Sequence, residues 1–392
     1  MGDRPNVNHN VYILGAGFSA NAGLPLVNNF LERMADAVEW LYSNNRESEA
    51  EAVRRVFDFR LRAAGAAYRA EVNIDNIEEL FSLASASEGE ARADEVVSAI
   101  AATLDFAELT TKRPTCKVTV REESGQGSWI GTDKTYPLYQ LYAGIISGSM
   151  CTAPTKTENT VITLNYDTLL EDALAELNVP FYYGLPTELT AYHESVKCLH
   201  SKEREALAVY KLHGSSNWSK PLSRGSKATI FGNYRDLHKA GGKVLLVPPT
   251  WRKVFAEQLI QVWEGAVEAL NKATRIVVVG FSMPPTDNHF KYLIAAGLQR
   301  NISLRKFLFV NPGLHESRKK DRAVLRRNLF SILRRELEGR GVVEPIPMNA
   351  KQFFLQRKLL REIGRDIRED FLSFEYLVDE FETNYISQLS MQ

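Results

Sequence analysis

Short apolar runs recur along the chain, and small or polar residues follow each of them directly. The runs lie at 11–14, 161–164, 209–212, 244–247, 275–279 and 307–310, and Thr163, Lys211 and Arg275 are the polar residues within them. A continuous apolar run of this length is typical of a strand that is buried on both faces of a parallel sheet. Helical apolar spacing follows several of these runs. The pattern therefore predicts an α/β fold with a Rossmann-like parallel sheet.

The stretch between the first two runs has the periodicity of helices instead. It predicts helices at 29–42, 46–70, 74–83, 93–104 and 137–146, and a polar, turn-rich loop at 111–134. We therefore expect a large helical insertion at about residues 30–150.

The composition changes again beyond residue 313. Residues 317–335 carry eight Lys or Arg and one Asp around an apolar stripe, and residues 351–388 have helical spacing of mixed charge. The sequence therefore predicts a domain that spans residues 8–315. A helical C-terminal segment at 316–392 would follow it and serve for packing or oligomerisation.

The overall charge offers no attraction for nucleic acid or for a membrane. Lys plus Arg and Asp plus Glu both number 48, which gives a formal net charge of +0. The basic stretch at 317–335 is interpreted as a solvated helix or a subunit contact, so direct nucleic-acid binding is not expected. The N-terminus has no apolar signal segment, and the run at 276–281 is too short to span a bilayer. We expect a soluble, cytoplasmic protein.

The residues that end the runs carry the candidate chemistry. Gly15, Gly17 and Ala20 satisfy the pattern G-x-G-x-x-G/A, and Ser19 is expected to cap a helix whose N-terminus faces a phosphate. Polar clusters also follow the later runs, with Asn165 to Asp167, His213, the stretch 280–287 and Asn311. Because ligands bind beyond the carboxyl ends of parallel strands, these clusters predict one composite nucleotide site.

Simpler roles remain open for some of these residues. Asn165 and Asp167 have side chains that commonly cap a helix, and a helix is predicted directly after them. A lone histidine at the end of a strand, such as His213, is often structural. Asp287, with the two residues that follow it, is expected to begin a helix.

Taken together, the motifs resemble those of the sirtuin family. GAGFSANAGLP at 15–25 resembles the sirtuin opening GAGxSxxxGIP, and TLNYD at 163–167 resembles TQNID. LHGS at 212–215 is similar to the catalytic His-Gly pair, GFSM at 280–283 stands where sirtuins have GTSL, and VNP at 310–312 matches a late asparagine. The resemblance covers about residues 11–313 and implies a sirtuin-type NAD-binding catalytic domain.

The resemblance also implies a role for each matching residue. Asn165 would hold a water and a ribose hydroxyl, His213 would accept a proton, and Asp167 would bind the nicotinamide carboxamide. The implied set that binds NAD consists of Gly15, Ala16, Gly17, Ser19, Gly280, Ser282 and Asn311. No metal is expected.

The departures from the sirtuin pattern bear on the activity. Residues 26–28 are Leu-Val-Asn where sirtuins have Asp-Phe-Arg, and Leu164 replaces a glutamine. The three cysteines, Cys116, Cys151 and Cys198, cannot supply the zinc-binding quartet of sirtuin deacylases. These features are similar to those of sirtuin-like effectors of bacterial antiphage defence, which hydrolyse NAD⁺ to nicotinamide and ADP-ribose.

This resemblance implies an NAD⁺ glycohydrolase that acts as a homo-oligomer, with a partner protein such as a HerA-type ATPase. Two alternatives stay open. One is an NAD-dependent protein deacylase, and the other is a non-catalytic subunit that binds NAD or ADP-ribose for sensing or assembly.

Overall fold

The computed structural model describes residues 8–88, 90–124, 128–151, 157–185, 187–189, 206–221, 227–247, 259–284, 287–362 and 365. The elements up to residue 147 are β1 (Asn8–Leu14), α1 (Ala16–Ser19), α2 (Phe30–Ser43), α3 (Glu47–Arg69), α4 (Ile77–Glu88), α5 (Glu90–Thr110), β2 (Thr115–Ser124), β3 (Ser128–Pro137) and α6 (Leu138–Ser147).

The elements after residue 147 are β4 (Thr157–Thr163), α7 (Leu169–Glu176), β5 (Phe181–Tyr182), β6 (Thr187–Leu189), β7 (Leu207–Lys211), β8 (Gly214–Ser219), β9 (Ala228–Ile230), α8 (Tyr234–Lys239), β10 (Val244–Leu246), α9 (Ile260–Lys272), β11 (Arg275–Val279), α10 (Asn288–Leu298), β12 (Lys306–Val310), α11 (Lys319–Ile332), α12 (Glu336–Gly339), β13 (Val343–Ile346), α13 (Ala350–Phe354) and α14 (Arg357–Glu362). None of these helices combines the length and the apolar character needed to cross a membrane.

Seven parallel strands form the main sheet in the order β13-β12-β11-β1-β4-β7-β5. Strand β1 lies in the middle, where Val11 pairs with Ile276 on β11 and with Thr160 on β4. Val11, Tyr12 and Ile13 are completely buried, as expected for a strand covered on both faces. The sheet confirms the predicted α/β class. The sheet also places the carboxyl ends of these strands at one edge. Strand β1 has neighbours on both sides at this edge, which is where ligands bind in open parallel sheets.

Helices α2 to α5 confirm the helical insertion, and ion pairs hold them to their surroundings. The guanidinium of Arg46, at the start of α3, contacts both Glu49 and Asp105 of α5, and both carboxylates are buried. Near the other end of α5, Asp94 accepts hydrogen bonds from Lys220 at 2.8 Å and Lys243 at 3.3 Å. The insertion is therefore joined to the segments that flank β8 and β10.

The prediction of a loop at 111–134 is wrong. Strands β2 and β3 pair there as an antiparallel hairpin, with Cys116 opposite Tyr136. The side chains of Cys116 and Val118 are buried, and they alternate with polar residues at the period of two that a strand requires. The high content of polar and turn-forming residues obscured this alternation.

The run at 244–247 forms a strand, but this strand does not join the parallel sheet. β10 pairs antiparallel with β8 in a second sheet of order β10-β8-β9-β6. Gly214 explains the difference, because its φ of +79° turns the chain directly after His213. A Cβ atom on Gly214 would lie 2.1 Å from the Leu245 carbonyl oxygen, so only glycine permits this contact. The segment after His213 therefore continues as a strand and not as a helix.

The described part of the C-terminal segment is mostly helical, as predicted, but it contains one strand. β13 pairs in parallel with β12 and extends the main sheet, so the boundary predicted after residue 315 falls between two strands of one sheet. Arg365 is buried, and it donates to the Ile146 carbonyl at 2.9 Å and to the Tyr12 hydroxyl at 3.4 Å. Most of the helix predicted at 351–388 lies outside the described residues.

Candidate functional site

A cavity of about 530 Å³ lies at the carboxyl edge of the main sheet. The loops that follow β1, β4, β7, β11 and β12 contribute to its wall. The structure brings every residue predicted for the site to this cavity, namely Gly15, Ala16, Gly17, Ser19, Asn165, Asp167, His213, Gly280, Ser282 and Asn311. These residues lie close together because the strands are parallel and their carboxyl ends share one edge of the sheet.

The glycine loop after β1 contacts the loop after β11 backbone to backbone. The Gly15 and Gly17 N–H groups donate to the carbonyls of Val279 at 3.0 Å and Gly280 at 2.8 Å. A Cβ atom on Gly15 would lie 2.8 Å from the Gly280 oxygen, and one on Gly17 would lie 2.8 Å from the Gly280 Cα atom. These two N–H groups are therefore engaged within the protein. The glycines contribute to the site by their lack of side chains, which lets the two loops approach each other.

Ser19 does not cap a helix, and that prediction is wrong. Helix α1 begins at Ala16 after Gly15, so Ser19 is its last residue. The buried Ser19 hydroxyl instead donates to Asp167 Oδ2 at 2.8 Å and accepts from Asn165 Nδ2 at 3.0 Å. Ser19 therefore joins the loop after β1 to the loop after β4.

Asn165 uses both hydrogens of its side-chain amide within the protein. Its Nδ2 atom donates to the Gly15 carbonyl and to the Ser19 hydroxyl, each at 3.0 Å. Because the Gly15 carbonyl can only accept, the amide nitrogen must face it. The Oδ1 atom of Asn165 is then the atom left to accept a hydrogen bond from a water or a hydroxyl group in the cavity.

Asp167 is buried and combines two roles. Its Oδ1 atom accepts from the Leu169 N–H at 3.2 Å, so the side chain contacts the first residue of α7, but the N-cap position itself is occupied by Thr168. Its Oδ2 atom accepts from Ser19 and its side chain lines the cavity. Burial raises the pKa of the Asp167 carboxyl above its ordinary value, while the Lys211 ammonium and the Ser19 hydrogen bond act in the opposite direction.

His213 follows the last residue of β7 by two positions and is buried at the cavity wall. Two hydrogen bonds hold the backbone at His213. The Leu212 carbonyl accepts from Trp263 Nε1 at 3.0 Å, and the His213 carbonyl accepts from the Val247 N–H at 2.8 Å. The ring of Tyr166 lies 6.3 Å from the His213 ring, centroid to centroid. Burial raises the pKa of the Tyr166 phenol, which therefore stays neutral near His213.

Ser282 and Asn311 lie in the loops after β11 and β12. The Ser282 carbonyl accepts from Asn328 Nδ2 of α11 at 3.0 Å, and the next residue, Met283, has a left-handed φ of +49°. Asn311 Oδ1 accepts from the Gly313 N–H at 2.9 Å. The helix predicted from Asp287 is confirmed, since the Asp287 side chain accepts from the Phe290 N–H at the start of α10.

The helical insertion supplies a wall of the cavity that sequence reasoning missed. The residues concerned are Ile77, Glu78 and Phe81 of α4 and Ile100 and Leu104 of α5. Their spacing predicts helices, but the same spacing occurs in helices that face only a protein core. Asn349 and Ala350, at the start of α13, also line the cavity and belong to the C-terminal segment.

Residues 159–330 match the family model of the SIR2-like domain. No curated protein shows significant sequence similarity to the chain. The solved structures that are similar to it include Sir2 in complex with the inhibitor EX-527, 2′-O-acetyl-ADP-ribose and a deacetylated p53 peptide, at 16% identity and a TM-score of 0.36, with 91% of this chain and 94% of that chain covered. A Sir2 homolog–NAD complex is similar at 14% identity and a TM-score of 0.38, with 83% and 91% covered.

The matched region contains the strands β7, β11 and β12, most of β4, and the loops that follow them, which contribute Asn165, Asp167, His213, Gly280, Ser282 and Asn311 to the cavity. The domain match and the parallel sheet together support a Sir2-type fold.

Proposed function

We propose that this protein hydrolyses NAD⁺ to nicotinamide and ADP-ribose, and that it depletes NAD⁺ as an effector of antiphage defence. The observation that carries the proposal is the convergence of Asn165, Asp167 and His213 on one cavity beside the interlocked glycine loops. The match of residues 159–330 to the SIR2-like domain supports it, as does the resemblance of the loop sequences to sirtuin motifs.

The cavity suits a dinucleotide in size and in the chemistry of its wall. Its volume of about 530 Å³ lies within the range of small-molecule sites. The glycine loop adds no side chains that would obstruct a pyrophosphate, while Ser282 and Asn311 lie at the loops that would face the adenosine end. The apolar wall from α4 and α5 offers contacts for flat rings.

Hydrolysis requires a positioned water and an acceptor for one proton. The bond between ribose and nicotinamide breaks, a bond between ribose and the water oxygen forms, and one proton leaves the water. Asn165 Oδ1 would accept a hydrogen bond from that water, which orients it. The His213 imidazole would accept the proton, because the unprotonated nitrogen of a neutral imidazole can act as a general base. The Asp167 carboxylate would accept a hydrogen bond from the nicotinamide amide.

The helical insertion favours hydrolysis of free NAD⁺ over deacylation. Its helices α4 and α5 cover one side of the cavity with Ile77, Phe81, Ile100 and Leu104. Ion pairs between Asp94 and two lysines hold α5 against the neighbouring segments, so this wall is part of the folded domain. An acyl-lysine substrate would need an additional groove beside the ribose.

We further propose that assembly restrains the activity, with the chain acting in the cytoplasm as a homo-oligomer and with a partner protein such as a HerA-type ATPase. Helix α11 could transmit the binding of a partner protein to the cavity, because it has an exposed side and a side that contacts the cavity wall. It exposes Lys319, Lys320 and Arg327, while its buried Asn328 bonds to the loop at Ser282. A protein bound to the exposed side of α11 would contact an element that positions the cavity wall.

The test is release of nicotinamide and ADP-ribose from NAD⁺ by the wild type, Asn165→Ala and His213→Ala, with and without the ATPase. An acetyl-lysine peptide is added in a parallel series. We expect hydrolysis without peptide that both substitutions abolish. Turnover that depends on the peptide would establish the deacylase instead. Binding of ADP-ribose with no turnover under any condition would establish a non-catalytic subunit.

A further inference from the structure

Lys211 is the last residue of β7 and one of the largest completely buried side chains of the described structure. Its ammonium donates to the backbone carbonyl of Asp167 and to Glu171 Oε1, the latter at 2.8 Å. The side chains of Lys211 and Glu171 are only 1% and 5% exposed. A lysine is almost never buried to this extent unless it is paired, because removal of an ammonium from water is costly.

The two contacts of Lys211 have different consequences. Glu171 supplies the opposite charge that makes burial of the ammonium tolerable. The bond to the Asp167 carbonyl is not needed for charge balance. It connects the end of β7, two residues before His213, to the loop that contains Asn165 and Asp167.

The same loop has a second connection to the chain that follows His213. The Tyr166 carbonyl accepts from the Ser216 N–H at 2.9 Å and from the Ser215 hydroxyl at 3.2 Å. Two consecutive carbonyls of the β4 loop are therefore bonded to residues on either side of His213. These bonds set the separation between Asn165 and Asp167 on one loop and His213 on the other.

We propose that Lys211 is a positioning residue that fixes the Asn165–Asp167 loop relative to His213 through its bond to the Asp167 carbonyl. Its effect on the reaction rate rests on the proposed hydrolysis of NAD⁺, whereas its effect on the loop does not. Because the reacting groups are contributed by two separate loops, a small displacement between them lowers the rate without removing any catalytic group.

The charges around this contact agree with the assignment. Asp167, Glu171 and Glu108 each interact electrostatically with Lys211, and burial raises the pKa of the Glu108 carboxyl well above its ordinary value. Glu108 Oε1 has no hydrogen-bond partner among the described residues. Lys211 bonds directly both to the loop, at the Asp167 carbonyl, and to α7, at the Glu171 carboxylate.

The experiment separates the two contacts with three variants. Lys211→Met removes both bonds, Lys211→Met/Glu171→Gln also removes the unpaired carboxylate, and Glu171→Gln keeps the donor to the Asp167 carbonyl. Lys306→Met is the control for loss of a lysine ion pair, because Lys306 forms a partly exposed pair with Glu344 at 3.1 Å at the start of β12, the end of the strand opposite to the cavity. Thermal unfolding, hydrogen exchange of residues 165–171, and kcat and KM for NAD⁺ are measured.

We expect the double variant to recover much of the stability that Lys211→Met loses, because the buried Glu171 carboxylate is no longer left without a partner. Its loop should still exchange hydrogen faster than in the wild type, and its kcat should be lower by on the order of 100-fold with a smaller change in KM. Glu171→Gln leaves the buried ammonium without its counter-charge and should lose stability, but it keeps the donor to the Asp167 carbonyl and should therefore keep the kcat of the wild type. Lys306→Met should keep both the exchange and the kcat of the wild type.

A double variant with restored stability and with wild-type exchange and kcat would overturn the proposal and leave Lys211 a structural role only. The exchange measurement decides this even for a protein that does not turn over NAD⁺. Absence of turnover by the wild type contradicts the proposed function alone, and unchanged exchange in the double variant contradicts the positioning role alone.

Discussion

The Ser19 hydroxyl donates a hydrogen bond of 2.8 Å to Asp167, although 148 positions separate the two residues in the sequence. The pairing of Leu14 with Thr163 at the ends of β1 and β4 brings their loops side by side. Asn165 adds to the contact by donating to the same hydroxyl. The candidate site is therefore one hydrogen-bonded unit built from two loops, and each member orients the others.

Ser19→Ala should lower activity more than stability. The substitution removes the acceptor of one Asn165 hydrogen and the donor to Asp167, so both side chains lose orientation. We expect a loss of about 1 kcal/mol in the free energy of unfolding and a decrease of kcat by about tenfold or more. Urea unfolding and NAD⁺ hydrolysis are compared with those of Ser43→Ala, whose exposed hydroxyl bonds to the Glu39 carbonyl within α2. Equal kcat for the two variants would contradict the role of Ser19.

Gly280→Ala should destabilise the protein and abolish binding of ADP-ribose. Gly280 has a φ of +68°, and a Cβ atom there would lie 2.3 Å from the Phe18 nitrogen, so the two loops would have to separate. Gly65→Ala is the control, since Gly65 lies in α3 with no atom near its Cβ position. The control should stabilise the protein by about 0.5–1 kcal/mol. Thermal unfolding and calorimetric titration with ADP-ribose distinguish the two, and normal binding by Gly280→Ala would refute this account of the glycine loop.

The sequence predicted those parts of the site that follow directly after buried strands. Asn165, His213 and Asn311 each occupy such a position, and parallel strands necessarily place them at one edge. Ile100 and Leu104 could not be assigned to the cavity, because an apolar helical face has the same spacing whether it covers a ligand or a core.

The missed elements of the fold are those that depend on distant partners. β13 is a four-residue strand with a proline at the edge of the sheet, and it forms only because β12 is already there. β10 contains the apolar run expected for the main sheet, yet the turn at Gly214 places β8 beside it in a second sheet. No local sequence pattern distinguishes an apolar run that joins the main parallel sheet from one that joins the second sheet.

The stability of the fold should decrease as the pH falls from about 6.5 to about 4 because of His9. Burial and, to a smaller extent, Lys272 lower the pKa of the His9 ring to about 4. In the unfolded chain the pKa is about 6.5, so the unfolded state binds a proton throughout this window while the folded state does not. The free energy of unfolding then falls by up to about 1.4 kcal/mol per pH unit.

His9→Gln removes this titration and should flatten the pH dependence over the same window. Glutamine retains a polar group for Thr160, which bonds His9 Nε2 at 2.9 Å. Urea unfolding across this pH range is compared for the wild type, His9→Gln and His315→Gln, the last at a partly exposed histidine near the protein surface. A pH dependence in His9→Gln as steep as that of the wild type would show that other groups cause it.

NAD⁺ should be hydrolysed far more efficiently than NADP⁺. Among the described residues, no lysine or arginine lines the cavity, whereas Glu78, Asp167 and Asp287 do. A 2′-phosphate would bring negative charge next to carboxylates, and repulsion of several kcal/mol corresponds to a ratio of kcat/KM on the order of 100 or more. The ratio is measured at low and high salt, and it should narrow at high salt because screening weakens repulsion. Calorimetry with ADP-ribose and its 2′-phosphate gives the same comparison without turnover. Equal affinities would contradict the prediction.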